Sequence, residues 1–342
     1  MSSHSKWLLT LFLLSTTFFA HARKLAPEII KAMGEGAMAK FVLKVCDDEG
    51  APVSNAIVRV EFDLLPNPHS VYGKTDSNGI CVVEGKTNGN KVKFTIRKDG
   101  YYGSCKEITY IEMGREHEVK NDKWLPYGDE VSLSIKPIKN PITLRPLPGR
   151  GDYKHTDAVG EWVGYDLDVD DFVNPFGTGL LADFEVYLDW DGKSFPKCER
   201  LGMKVRFTED YSGYYELPLD TESEFKTPYS AMTNVVFSQV ATYYYLMDGK
   251  RLRNKFDRSK CWIIRSRCTI DDQGRLQKAN YSVARYIGVS GGVNGKAGFI
   301  FCGAFNPTPN DTNLEDADTA RLSRLGYKQH LESELLRKAG VK

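Results

Sequence analysis

EWVGYDLDVDDFVNPFGTGLLADFEVYLDW, residues 161–190, reads as strand, acidic turn, proline–glycine corner and strand again. Trp162–Leu167 and Ala182–Trp190 are strand-like runs. Asn174-Pro175 and Gly177-Thr178-Gly179 between them are breakers that turn the chain back. The same grammar continues in both directions. Downstream runs at Leu201–Phe207, Gly213–Leu217, Val235–Met247, Cys261–Ile270, Leu276–Ile287 and Ala297–Phe305 are punctuated by Asp191-Gly192, Asp248-Gly249 and Gln273-Gly274. Runs of this length joined by short Gly turns predict a larger antiparallel β-sandwich over 121–311.

The stretch also holds the residues that invite a chemical reading. Asp166, Asp168 and Asp170 repeat the first half of a calcium loop, in which oxygens at alternate positions meet a hard cation. The second half fails: Asp171 takes the glycine position and Gly177 the place of the bidentate glutamate. Asp166, Asp168 and Asp170 are therefore candidate metal ligands, with calcium the cofactor to test. They are set against a plainer reading as a solvated acidic strand edge. Gly177-Thr-Gly179-Leu-Leu-Ala182 has the letters of a dinucleotide fingerprint. That motif acts only between a strand and a helix N-terminus, and here a proline turn precedes it and a strand follows.

Upstream, Phe41–Cys46, Ala56–Phe62, Ser70–Thr75, Ile80–Glu84, Val92–Arg97 and a run near Cys105–Met113 predict a small β-sandwich over 40–120. Asp76-Ser-Asn-Gly79 and Lys98-Asp-Gly100 are its turn signals. VCDDEGAPVSNAIVRV, KTDSNGICVV and KDGYYG, within about 40–113, resemble the carboxypeptidase regulatory-like, transthyretin-like family. The match rests on Asp47, Gly50, Pro52, Val53, Asn55, Ala56, Thr75, Asp76, Asn78, Gly79, Gly100 and Tyr101. The resemblance implies turn and core roles for these residues and an accessory module in an exported protein. FVNPFGTG with ADF, then CTIDDQGRLQKANYSVARYIGV and FNPTPNDTNLE, is similar to uncharacterised exported bacterial β-proteins that share a WVxPxGxGxxADF-like segment and an NPTPNDxNLE ending. Phe172 stands at the Trp position, the tail runs longer, and that resemblance brings no activity.

The ends of the chain differ from the middle. Lys6, the apolar run Trp7–Leu14 and Ala20-His21-Ala22 have the form of a secretory signal peptide over 1–22, with a leader over 23–39. The apolar core is short of the ~20 residues that a spanning helix needs, so cleavage rather than a membrane anchor is expected. A secreted or periplasmic location follows. Thr312–Leu325 and Lys328–Lys338 place leucines at roughly helical spacing. With Gly326 as a break, 312–342 is expected to be a helical or loose tail.

Charge and cysteine exclude more than they assign. The 46 Lys and Arg against 45 Asp and Glu imply no basic face, so nucleic acid is a poor partner. Seven cysteines leave at least one outside any intrachain pair. Cys261 and Cys268 lie seven apart in one strand, facing opposite ways, and no C-x-x-C pair supports a zinc ribbon. Gly288-Val-Ser290-Gly-Gly292 has the nucleophile-elbow pattern without the helix that must follow it. His69, His117, His155 and His330 begin no metal-ligand motif. Trp190, Tyr211, Tyr214, Tyr215 and Tyr243-Tyr244-Tyr245 offer either a sugar-stacking strip or core packing, and strand alternation favours packing. The expectation is an all-β, exported, non-catalytic binding or structural protein whose partner is a protein or glycan. A secreted carbohydrate-active enzyme or carbohydrate-binding protein is the alternative.

Overall fold

A computed structural model describes residues 25–110, 118–147, 152–194, 196–252, 254–293 and 295–338. The signal-peptide expectation at 1–22, His117 and the end of the run expected near Cys105–Met113 lie outside the described residues. The fold is all-β with a C-terminal helix. The chain divides into two compact units, one of residues 1–45, 52–95 and 106–133, the other of 46–51, 96–105 and 134–342. Among the described residues no helix is long and apolar enough to cross a membrane.

The first unit opens with helix α1 (Pro27–Glu35), which Pro27 starts in the first turn. Its strands are β1 (Ala37–Cys46), β2 (Ile57–Phe62), β3 (His69–Lys74), β4 (Ile80–Thr87), β5 (Val92–Arg97), β6 (Ser104–Ile108), β7 (Val119–Lys120), β8 (Lys123–Trp124) and β9 (Asp129–Ser134). One sheet runs β4-β1-β8-β7 with β9 also on β1, and the other runs β3-β2-β5-β6. Alternation along β1 sends Phe41 and Leu43 inward, and alternation along β2 does the same for Val60 and Phe62. The Phe41 ring meets Phe94 edge-on at 5.0 Å and Phe62 at 6.3 Å, so the sheets share one aromatic core. Turn chemistry is local. Asp47 Oδ1 accepts from the amides of Glu49 and Ala51, and Asp76 Oδ1 from those of Asn78 and Ile80. Gly79, at φ +73°, has Val45 O 2.4 Å from where a Cβ would sit, so no other residue fits that turn.

The second unit holds β10 (Arg145–Pro146), β11 (Lys154–Thr156), β12 (Trp162–Asp166), β13 (Asp171–Phe172), β14 (Phe184–Trp190), β15 (Leu201–Arg206), β16 (Gly213–Pro218), β17 (Val240–Met247), β18 (Lys250–Arg251), β19 (Lys260–Ile270), β20 (Leu276–Val293) and β21 (Lys296–Asn306). One six-stranded sheet has the order β10-β21-β20-β19-β16, with β11 also on β21. The other is β13-β12-β14-β15-β17-β18. All these pairings are antiparallel. Tyr165 of one sheet lies 4.9 Å from Phe299 of the other and stacks on Phe184, which fixes the face-to-face closure. Tyr243 and Tyr245 pack against this core, and the Tyr214 ring stacks 3.8 Å from Trp262, so these tyrosines serve packing.

Helix α2 (Ala317–Lys338) runs unbroken through Gly326, where the sequence reading placed a break. A Cβ at Gly326 would lie 2.6 Å from Arg97 Nη1, so the glycine clears room for a guanidinium instead of ending the helix. Arg97 pairs with Glu224, and Ser323 of the same helix donates its hydroxyl to Glu224. Gly288–Gly292 lies wholly within β20, so Ser290 has strand geometry and no following helix.

Phe299 is fully buried, and Val236 is 90% exposed. Phe299→Ala is expected to lower the unfolding free energy by about 3–5 kcal/mol and Val236→Ala by less than about 0.5 kcal/mol, read from urea denaturation.

Candidate functional site

The acidic stretch becomes a tight hairpin. β12 pairs with β13 through Tyr165↔Phe172 and Asp166↔Asp171, and residues 167–170 make the turn. Asp170 sits there at φ +55°, a region that Asp tolerates better than most residues. The corner that follows, Val173–Gly179, folds back on β13. A Cβ on Gly177 would lie 2.4 Å from Phe172 O, and one on Gly179 would lie 2.8 Å from Asp166 Cβ. The two glycines of the corner are thus demanded by close backbone approach. Asp171 Oδ2 accepts from the amide and hydroxyl of Thr178 and locks the corner shut.

Asp166 is buried, not a solvated edge residue as the strand reading held. Its Oδ2 accepts from the amides of Leu180 and Leu181 at 3.0 and 3.1 Å, and its Oδ1 accepts from Arg267 Nη2 at 2.7 Å. Asp183, whose side chain is 0% exposed, accepts from Arg267 Nε and Nη2 at 3.0 and 2.9 Å. It also takes the Ser266 hydroxyl at 2.6 Å and the Leu167 amide at 2.7 Å. One guanidinium thus bridges two buried carboxylates, and all their oxygens are hydrogen-bonded. Arg267 reaches them because β19 bulges: its register with β20 shifts between Ser266 and Thr269, and Arg267 itself stands at φ +52°. Its guanidinium lies 4.9 Å from the Phe305 ring.

Of the three candidate metal ligands, Asp168 pairs with Arg145 Nε at 2.6 Å and lies 3.7 Å from Arg267 Nη1. Asp170 accepts the Tyr165 hydroxyl at 2.9 Å and sits 3.4 Å from Lys154 Nζ. The positive charge that a calcium ion would bring to Asp166, Asp168 and Asp170 is supplied by Arg267, Arg145 and Lys154. Among the described residues no group of three or more His, Cys, Asp or Glu side chains is arranged to hold a metal ion. Asp183 and Arg267, the centre of the network, carry no signal in the sequence beyond the Asp of the ADF segment and an arginine inside an apolar run.

Titration follows these contacts. Burial works to raise the Asp166 carboxyl, but the Leu180 and Leu181 amides and Arg267 together hold it below the usual carboxylate range. Burial drives the Asp183 carboxyl upward against the pull of Arg267 and Ser266. The three acids around Arg267 outweigh its own burial and raise it further.

The network forms the back of an open cleft of about 280 Å³. Arg267, Asp168, Glu209, Lys278 and Asn280 supply its polar lining, and Leu181, Pro307 and Pro309 its apolar rim. Both sequence signatures therefore border one cleft: Leu181 from the first, Pro307 and Pro309 from the second. The second signature is itself a clasp. Asn306 Nδ2 donates to the carbonyls of Asp311 and Asn313, and Asn310 Oδ1 accepts the Ala279 amide. Glu315 accepts from the amides of Lys139 and Asn140 and the hydroxyl of Tyr102. Cys268 also lines the cleft, with its thiol pushed up to about 11 by burial, which suits a structural thiol better than a nucleophile. All seven cysteines lie among the described residues, and none of them is in a disulfide.

No family model matches the chain, and no curated protein matches it. Among solved structures, a 3-chlorocatechol 1,2-dioxygenase from Rhodococcus opacus aligns over 30% of this chain at 12% identity and a TM-score of 0.24. The aligned region spans 61% of that enzyme's length. A DUF3823 family protein from Parabacteroides merdae aligns over 78% of this chain and 98% of its own, at 7% identity and a TM-score of 0.21. One from Bacteroides uniformis covers 76% and 96%, at 10% identity and a TM-score of 0.16. Likeness at this level carries no argument about what the cleft does.

Arg267→Met leaves two buried carboxylates without their cation and is expected to cost about 3–5 kcal/mol in urea denaturation. Arg267→Met with Asp183→Asn is expected to recover part of that loss, and a strictly additive double mutant would contradict the pairing. Acid should act on Asp166 and on two other paired carboxylates of the second unit. Asp166, Asp220 and Glu224 all have depressed carboxyls. Their contribution to stability is complete above the free carboxyl value of about 4 and is lost as pH falls through it towards the depressed values. The raised Asp183 works the opposite way and softens the loss. The melting temperature is expected to drop as pH falls below about 4, and to drop less in Asp166→Asn.

Proposed function

We propose that this chain is an exported, non-catalytic binding or structural protein. Its second unit meets the ligand, and its first is a transthyretin-like accessory module. The observation that carries the reading is that the carboxylates of the acidic stretch are already spent. Asp166 and Asp183 are closed around Arg267, Asp168 is held by Arg145, and Asp170 by Tyr165 and Lys154. General acid–base work needs a carboxyl free to exchange a proton with a substrate, and these are committed to the fold. Export is supported by the signal-like pattern of residues 1–22. The accessory reading of the first unit is supported by Asp76 and Gly79, which make a turn expected of that module.

Around this fixed frame the loop is built for contact rather than turnover. Val169, Phe176, Leu180 and Leu181 are exposed on the stretch that the Asp166 and Asp171 carboxylates hold in place. A rigid loop that shows apolar side chains to solvent costs solubility and is kept where it meets something.

The test is a thermal-shift screen of the full chain over divalent ions and glycans, run beside assays for product release. Ligands that raise the melting temperature without product are expected, and calcium or a chelator should leave the melting temperature unchanged. Product release that disappears in Asp168→Asn or Glu209→Gln would overturn the non-catalytic reading.

A further inference from the structure

We propose that the cleft beside Arg267 binds a neutral, polyhydroxylated ligand, a single sugar unit in size. The proposal rests on the non-catalytic binding reading and names its ligand class. The polar lining is mixed in sign, with Arg267 and Lys278 beside Asp168 and Glu209, while Asn280 is buried with its amide on Asn306 O. An anionic ligand would meet two carboxylates there, and a cationic one two cations. A hydroxyl both donates and accepts, so a ligand rich in hydroxyls answers donors and acceptors placed side by side without bringing net charge. Leu181, Pro307 and Pro309 add an exposed apolar rim on which the C–H face of a sugar ring can lie. About 280 Å³ is at the small end of ligand clefts, which limits the occupant to one ring.

A second observation points to the same place. Arg267 holds a left-handed backbone conformation at a β-bulge on the wall of this cleft. Strain of this kind collects where a side chain must be aimed. Asp183 and Asp166 fix the inner edge of the guanidinium and leave Nη1 turned towards Asp168, the carboxylate that lines the cleft. The buried network then serves to orient a donor, and the two sequence signatures serve to build the walls around it.

The full chain would be titrated with D-glucose, D-galactose, D-mannose and N-acetylglucosamine, with glucuronate and glucosamine as charged counterparts, and binding followed by ligand-observed NMR. Saturable binding of at least one neutral sugar is expected, with the charged counterparts weaker. Lys278→Ala should weaken it about tenfold, the effect of losing one hydrogen bond, with no change in melting temperature, and Glu209→Gln, whose remaining oxygen can keep the Cys268 amide, should weaken it about as much. The proposal falls if no neutral sugar saturates, if a charged counterpart binds as tightly, or if both variants bind like the unmodified chain. A non-sugar ligand whose binding Lys278→Ala abolishes would overturn this proposal and leave the binding reading standing. Product release from any of the sugars would overturn that reading instead.

Discussion

A guanidinium removed from water has to be surrounded by oxygens, and Arg267 is surrounded by those of Asp183 and Asp166. Asp183 precedes β14 and Asp166 ends β12 in one sheet, while Arg267 sits on β19 of the other. One ion cluster therefore pins the two sheets of the second unit together at the end where β12 turns into β13. Burying a charge pair earns little net stability, because desolvation consumes most of the Coulomb attraction. What it does fix is register. If β12 slipped by one residue against β14, Tyr165 would leave the core and Asp166 would leave Arg267, so two unrelated penalties guard the same alignment.

The same cluster explains why the hairpin corner has its composition. Leu180 and Leu181 place their amides on Asp166, which requires the chain to pass close over β13. Only residues without a side chain can make that pass, and Gly177 and Gly179 stand where it happens. Asp171 then closes the corner onto Thr178. The proline, the two glycines and the aspartates are parts of one device, and a change in any of them is felt at Arg267, on the other sheet.

The strands were legible from sequence because alternation is local. Phe184–Trp190 and Ile57–Phe62 show in their burial the two-residue period that the sequence carries. Turns were legible for the same reason, since Asp47 and Asp76 bond to amides two and four residues ahead. What stayed hidden depends on partners far along the chain. Asp166 reads as a solvated acid until Arg267, 101 residues later, is placed against it. Gly326 reads as a helix breaker until Arg97 is placed beside it. The NPTPND segment reads as a family label. Its asparagines prove to be caps for the ends of β20 and β21, a role that no spacing rule announces.

The contrast between these two kinds of residue bears on function. A site that performs chemistry leaves a titratable group free to change its protonation, and around Arg267 the geometry does the reverse. Arg267 and Asp168 are the members of the network that line the cleft, where they stand beside Lys278 and Glu209. Elsewhere in the second unit the conspicuous aromatics are consumed by packing, with Trp262 inside the core and Tyr243 and Tyr245 against it. A fold that spends its acids and aromatics internally keeps recognition to hydrogen-bond geometry and shape. On the binding reading proposed above, specificity lies in the few polar groups that still meet solvent, and in the bulge that aims one of them.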